Sequence, residues 1–458
     1  MVATERCRAA RLAIGVLCLV AAVSQAQDQN DTGGAWLYPI VRHARIGAID
    51  ADGREIIPPV YDALENLTIE NWPKFPRTGD IVWQWSGWSP FDISEPDTLI
   101  VFSRNGAWGF LAADGSIAIA AKFEHVGPFG RNVDLAPAKL EGRWGYIGRD
   151  GEFVIAPQFD NARSFYWQRI AAVQQGDKWG LIDGEGNWVV RPRFDRIPHP
   201  SNDAPFPVEI DGKWGYLSAD GRMVIEPKFD AITEAMTFRE GLVNVHVGDK
   251  MGFVDERGEV VIQPKYDVAS PFDHGVATVQ NDDDCGYISK SGEFLVPFGR
   301  YDICHHFFGP LARVGRKEQV RNRNEIWWGA IDLQGREIIP VGRFDSIDVF
   351  HDGLAAVEKD GKGGYVDGEG ELVIPLGHQG IRGGRAFSFG LAPAVGGRGA
   401  RWQWGYIDRH GDWVIEPKFD DADPFQQDLA FVELKSSVGF VDRKGRLVFE
   451  VDLDDIAK

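Results

Sequence analysis

Short runs of alternating apolar and small or polar residues recur along most of this chain at a period of about 35 residues. In Trp144-Gly145-Tyr146-Ile147, a strand reading projects Trp and Tyr from one face and Gly and Ile from the other. Asp150-Gly151 follows with the positive φ of a hairpin turn. Phe153-Val154-Ile155 is the return strand, and Pro157, lacking a backbone donor, is expected to end it or place it at an edge. A further strand precedes each such pair, as in Ile170-Ala171-Ala172-Val173 and Leu242-Val243-Asn244-Val245.

Aligned on the internal glycine, eleven copies run from Gly47 through Gly109, Gly145, Gly180, Gly215, Gly252, Gly286, Gly329, Gly364 and Gly405 to Gly439. The first spacing is 62 residues and the others lie between 34 and 43. Each copy carries a second glycine six residues on, from Gly53 to Gly445. Glycine inside a strand weakens it, so its recurrence implies that a ring or backbone comes close there. A three-stranded unit cannot bury both faces alone, so neighbours must stack. The fold expected is therefore all-β: tandem three-stranded meanders forming an elongated, solenoid-like array over residues 36–458. A closed propeller-like ring is the alternative.

Drift between copies adds detail. The position before the aligned glycine holds Trp in six copies, but Ile46 in the first and Val438 in the last, as atypical caps would. Three consecutive copies share a longer end, Pro297-Phe298-Gly299-Arg300, Pro340-Val341-Gly342-Arg343 and Pro375-Leu376-Gly377-His378, where a change of curvature is expected. Lys213-Trp214-Gly215-Tyr216 with Val224-Ile225-Glu226-Pro227-Lys228-Phe229-Asp230 resembles the WG-repeat (KWG-repeat) family of bacterial proteins, and Trp404 to Asp420 fits the same pattern. The resemblance covers roughly residues 36–453 and implies an extracytoplasmic or interaction-type repeat protein, with no catalytic residues to carry over.

The N-terminus bears on compartment. Arg6, Arg8 and Arg11 precede the apolar run Leu12 to Val23, and Ser24-Gln25-Ala26 supplies small residues for cleavage after Ala26, the pattern of a secretory signal peptide over residues 1–26. A polar linker, residues 27–35, follows. The run is too short to span a bilayer, so secretion or a periplasmic location is expected, with no membrane span after cleavage. The remaining chain has 46 basic against 67 acidic side chains, −21, which opposes general nucleic-acid binding. Of four cysteines, Cys285 and Cys304 survive cleavage and form a candidate disulfide in an oxidising compartment.

Candidate chemistry is sparse. There is no G-x-S-x-G, H-E-x-x-H, C-x-x-C or Walker-type loop. His305-His306 would point to opposite strand faces, and Asp282-Asp283-Asp284 occupies the turn before an aligned glycine, so neither reads as a metal site. Asp230 and its equivalents, one per repeat, are expected to accept backbone hydrogen bonds in the connectors. No enzyme, metal or cofactor is implied. Two departures from the repeat remain. The spacer at 65–105 holds Trp72, Trp83, Trp85 and Trp88, suited to a sugar or a proline-rich peptide if exposed and otherwise capping the first sheet. Two later spacers concentrate Arg313, Arg316, Lys317, Arg321 and Arg323, then Arg382, Arg385, Arg398 and Arg401, as a basic ridge for an anionic envelope polymer or acidic protein, or else as two solvated loops. The function expected is an exported, non-enzymatic scaffold binding a protein or cell-envelope polymer, with carbohydrate binding by the Trp-rich spacer as the alternative.

Overall fold

The computed structural model describes residues 35–456, apart from 66, 69–89, 96, 131–132, 166–168, 199–204, 219, 233–236, 321–322 and 398–401. It comprises two compact units, residues 1–121 and 122–458. The first contributes two antiparallel sheets and the second nine, one for each aligned glycine. The only helical turns described are the single turns His378–Gly380 and Leu453–Ile456.

The repeat unit has four strands, which corrects the three-stranded expectation. In the first sheet of the second unit the order is His125–Val126, Ala136–Leu140, Arg143–Ile147 and Phe153–Phe159. The added strand is two residues long and begins two residues after the previous return strand ends, at Phe123. A two-residue strand has no period of its own, so alternation could not reveal it. In the sheet around Gly215 it shrinks to one bridge, Arg196 to Glu209. In the first unit the sheet of Trp36–Arg42 takes its fourth strand, Phe91–Asp92, from the Trp-rich spacer. Leu99–Arg104, inside the same spacer, is the ordinary strand before Trp108-Gly109.

The return strand does not stop at proline; it bulges there. Trp144 pairs with Phe159 and Tyr146 with Ile155, so three return-strand residues face the lone Gly145. Proline suits a bulge because no ladder donor is needed. The bulge presses backbone onto the aligned glycine. A Cβ on Gly145 would lie 2.4 Å from the Ile155 oxygen and 2.8 Å from the Pro157 nitrogen. Trp-Gly and Ile-x-Pro are thus the two halves of one contact. In the longer ends, Gly299 and Gly342 enter the bulge at φ 78° and 86°, absorbing the extra residue before Tyr301 and Phe344 re-pair.

In the second unit, eight apolar clusters fill the eight junctions between successive sheets. Trp214, Tyr216, Ile225 and Phe229 of one sheet, for example, pack on Val243, Val245 and Val254 of the next. The second glycine serves the same junction. Gly258 has φ 75°, and a Cβ there would meet Ile225 of the preceding sheet at 2.9 Å.

The closing Asp of each motif clamps two sheets. Asp230 pairs with Lys213 of its own sheet and accepts the Gly248 amide of the next at 2.8 Å. Asp195 likewise joins Lys178 to the Asp211 amide, and Asp267 joins Lys250 to that of Asp282. The lysine partner holds each of these carboxyls below its ordinary pKa. Such part-exposed pairs add little to stability in water, so they act mainly by setting register.

Candidate functional site

One sheet departs from the pattern. Its hairpin Leu311–Val320 with Arg323–Asp332 makes ten pairs, where the hairpin around Gly215 makes five. The flanking strands do not follow it outward. Strand Ile303–Phe308 pairs only as far as Gly315, and the return strand only as far as Trp328. Residues 316–320 and 323–327 therefore project beyond the sheet, with no strand on their outer sides among the described residues. The edge at 316–320 is partly covered, since the Lys317 amide donates to Asp302 at 2.8 Å.

Along the edge at 323–327 runs a groove of about 470 Å³, lined by Glu325, Ile326, Trp327, Gly342, Phe344, Asp345 and Lys359. Ile326 and Trp327 are 39% and 43% exposed. The longer bulge shapes the groove: a Cβ on Gly342 would lie 2.9 Å from the Trp327 ring. At one end Lys359 pairs with Asp345 at 2.7 Å. The signal for this site was present in the chain. The 43-residue spacing, the second Trp beside Trp328 and the inserted Gly342 all mark it, but the repeat alignment absorbed only Trp328.

Two members of the expected basic ridge, Arg385 and Arg313, turn inward. Arg385 is half-buried between the last two sheets, where Nη1 donates to the Ala422 carbonyl at 2.7 Å. It pairs with Asp421 and Asp423 at 3.0 and 3.1 Å and stacks 4.3 Å from the Trp404 ring centroid. Burial pushes Asp423 up to about 7, with the Arg385 guanidinium opposing it, and raises Asp421 and Glu433 as well. Arg313 donates to the Ile347 carbonyl at 2.7 Å and lies over Trp328, and burial lowers its pKa. These arginines cover the motif tryptophans, as Arg163 covers Trp179 and Arg196 covers Trp214. Sequence could not separate a stacking arginine from a solvated one.

Other residues keep part of the expected character. Arg316 is exposed beside the groove hairpin and donates to the Arg300 carbonyl at 3.0 Å. Arg382 is exposed and stacks on Trp402 at 4.1 Å. Arg321, Arg398 and Arg401, the Arg323 side chain, and Trp72, Trp83, Trp85 and Trp88 lie outside the described residues. Cys285 and Cys304 are bonded, with Cα atoms 5.9 Å apart, and join the Trp-position strand of one sheet to the first strand of the next. His306 lies 3.5 Å from the Thr278 hydroxyl, while His305 packs against Trp328; burial lowers both pKa values, His305 to about 4. Among the described residues, no group of three or more His, Cys, Asp or Glu is placed to hold a metal ion, and no helix is long and apolar enough to cross a membrane.

Comparison with known proteins adds a family and little else. The model described as WG containing repeat matches nine segments: 46–72, 108–144, 144–179, 179–214, 214–250, 251–284, 286–316, 328–362 and 404–436. The two copies it passes over, at Gly364 and Gly439, each have a sheet. No curated protein matches. Among solved structures, a eukaryotic initiation factor aligns over 92% of this chain and 96% of its own at 10% identity and TM-score 0.39. AztD of Citrobacter koseri aligns over 70% and 79% at 11% and 0.27, and a putative TolB of Agrobacterium tumefaciens over 39% and 78% at 12% and 0.23. At those scores no property is transferred from them.

Proposed function

Since the chain belongs to the family built from the WG containing repeat, we propose that it is a non-catalytic scaffold that binds a protein or cell-envelope polymer where it departs from that repeat. The observation that carries this reading is the groove of mixed apolar and charged lining beside the edge at 323–327 that the return strand leaves open. The motif residues themselves are engaged in stacking and clamping and leave little to present to a ligand. The test is retention of envelope proteins and polymers on the immobilised chain, with a panel of glycosidic, ester and peptide substrates run beside it. Specific retention without turnover supports the scaffold; turnover, or no retained species, overturns it.

Export is part of the same proposal. The Cys285–Cys304 bond supports an oxidising compartment, and mass spectrometry of the native protein should find an N-terminus near Gln27. An intact Met1 form confined to the cytoplasm would refute it. We further read the sheets as blades of a propeller-like ring, because the four-stranded meander is the blade type of that architecture. Small-angle scattering near the compact value, about 22 Å for some 430 residues, supports the ring, and an elongated profile returns the array to the open solenoid. Carbohydrate binding by the Trp-rich spacer is the second reading. A glycan-array signal lost in Trp83→Ala with Trp85→Ala would favour it.

A further inference from the structure

We propose that the Cys285–Cys304 bond substitutes for the motif tryptophan at the junction into the groove-bearing sheet. That joint of the array is then held or released by thiol–disulfide exchange, independently of what the groove binds.

The place of the two sulfurs within the repeat carries the argument. Trp144 pairs with Phe159 on its return strand, and Ala162, three residues on, lies in the first strand of the next sheet. Both sides meet in one apolar cluster. Trp179 with Ile197 and Trp404 with Ala422 repeat the arrangement. Cys285 pairs with Tyr301, and Cys304 follows Tyr301 by the same three residues. The disulfide therefore joins the two places where, in those junctions, a tryptophan ring meets a smaller apolar side chain.

A second observation comes from the sheet that carries Cys285. His125, at the start of the first strand of its sheet, packs on the Trp144 ring with centroids 5.6 Å apart. Val268 begins the corresponding strand and is 42% exposed. A ring would cover it, and a cysteine is too short to do so. The bond thus ties the sheets together without the buried apolar area of a tryptophan. Another sulfur residue holds the preceding junction without a bond. Met251 is buried, and its sulfur accepts the Ala269 amide at 3.3 Å, where Ala269 again lies three residues after the paired Tyr266.

Release has a defined route. Cys285 is 2% exposed, whereas Cys304 is half-buried, so an incoming thiolate reaches the Cys304 sulfur first. With a dithiol as reductant, one of its sulfurs bonds to Cys304, the Cys285–Cys304 bond breaks, and Cys285 leaves with the electron pair and takes a proton. The second thiol of the reagent then displaces Cys304, which is protonated in turn, and the reagent closes into a cyclic disulfide. The freed Cys285 thiol has an acceptor in place, the Tyr301 carbonyl 3.6 Å from its sulfur. The junction now has neither a covalent tie nor a ring. Ile303 and Cys304 pair with Gly315 and Val314 at the root of the projecting hairpin, so the loosening enters the sheet that bears the groove.

Hydrogen exchange read by mass spectrometry on the full mature chain, with and without dithiothreitol, tests the proposal. Both sulfurs should become alkylable together while the circular dichroism of the strands persists. Exchange at 303–308 should quicken roughly tenfold or more, with no change at the Trp214 junction. Cys285→Ala with Cys304→Ala should behave as the reduced chain does. Cys285→Trp with Cys304→Ala, which rebuilds the motif contact, should recover slow exchange and ignore dithiothreitol. If the ring prevents folding, Cys285→Met with Cys304→Ala, the pairing of Met251 and Ala269, supplies the same comparison. Sulfurs that resist dithiothreitol in the folded chain, or exchange at 303–308 indifferent to reduction, overturn the proposal. So does loosening spread equally over every junction, or a Trp or Met variant protected no better than the Ala pair.

Discussion

The sheet around Trp214-Gly215 and the sheet around Trp328-Gly329 begin from the same motif and end in different roles. In the first, the hairpin closes after five pairs, Trp214 is 6% exposed, Trp214, Tyr216, Ile225 and Phe229 pack on the next sheet, and Asp230 clamps to it. In the second, the hairpin runs on for ten pairs, a second tryptophan appears on the opposite strand face, and an extra glycine lowers the bulge beneath it. The lesson is that recurrence marks what stacking requires. A residue that stacking does not use, such as Trp327, is where binding is to be sought.

The comparison can be broken most decisively at the regular sheet. Trp214→Ala should cost about 3–5 kcal/mol, because the cavity opens in a junction shared by two sheets. Chemical denaturation measures it, and a loss under about 1 kcal/mol would mean that the junctions do not carry the fold.

Gly215→Ala comes next. Its Cβ would sit 2.4 Å from the Ile225 oxygen, where only backbone movement gives relief, so a loss of about 1–3 kcal/mol is expected. Gly212→Ala, with open space around its Cβ but φ 73°, should lose only the smaller left-handed penalty of about 1–2 kcal/mol. Equal losses would remove the bulge contact as the reason for the Trp-Gly pair.

The half-buried network under Trp404 gives a pH-dependent counterpart to the exposed clamps. Asp423 has a folded pKa of about 7 against an ordinary 3.8, so folding favours its neutral form. Its charged form costs stability at pH 8, and that cost is relieved as pH falls from about 7 toward 4. Through this group alone the fold should therefore be more stable at pH 5 than at pH 8 by on the order of 1–3 kcal/mol, read as a higher melting temperature. Asp423→Asn should flatten that part of the profile. Asp230, held low by Lys213, has the opposite sign, with stability lost only as pH falls through its depressed pKa. A profile unchanged by Asp423→Asn would separate the burial of Asp423 from stability.

The smallest effect is expected at the groove. Trp327→Ala should cost under about 1 kcal/mol, since the ring is 43% exposed. Trp328→Ala, next in sequence but facing the core of the following sheet, should cost several times more. Near-equal losses would make Trp327 part of the core and remove the case for a binding wall.

Much of this protein was set by the sequence alone. Period-two alternation located three strands of each unit. The second glycine marked a turn at positive φ in every copy, and the closing Asp accepts a backbone amide at the connectors resolved around Asp195, Asp230 and Asp267. Those are local matters, fixed by φ preferences and by which side chains reach their own backbone. Tertiary structure decided the rest. The two-residue fourth strand exists only because the next sheet supplies its partner, and the bulge at proline only because the aligned glycine yields space to it. Arg385 is internal, and not a solvated cation, because Trp404, Asp421 and Asp423 converge on it from two sheets. Trp327 is a groove wall because the return strand stops pairing at Trp328, one residue away. Each depends on contacts between segments far apart in the chain, and a periodic sequence cannot say which of its copies will leave an edge uncovered.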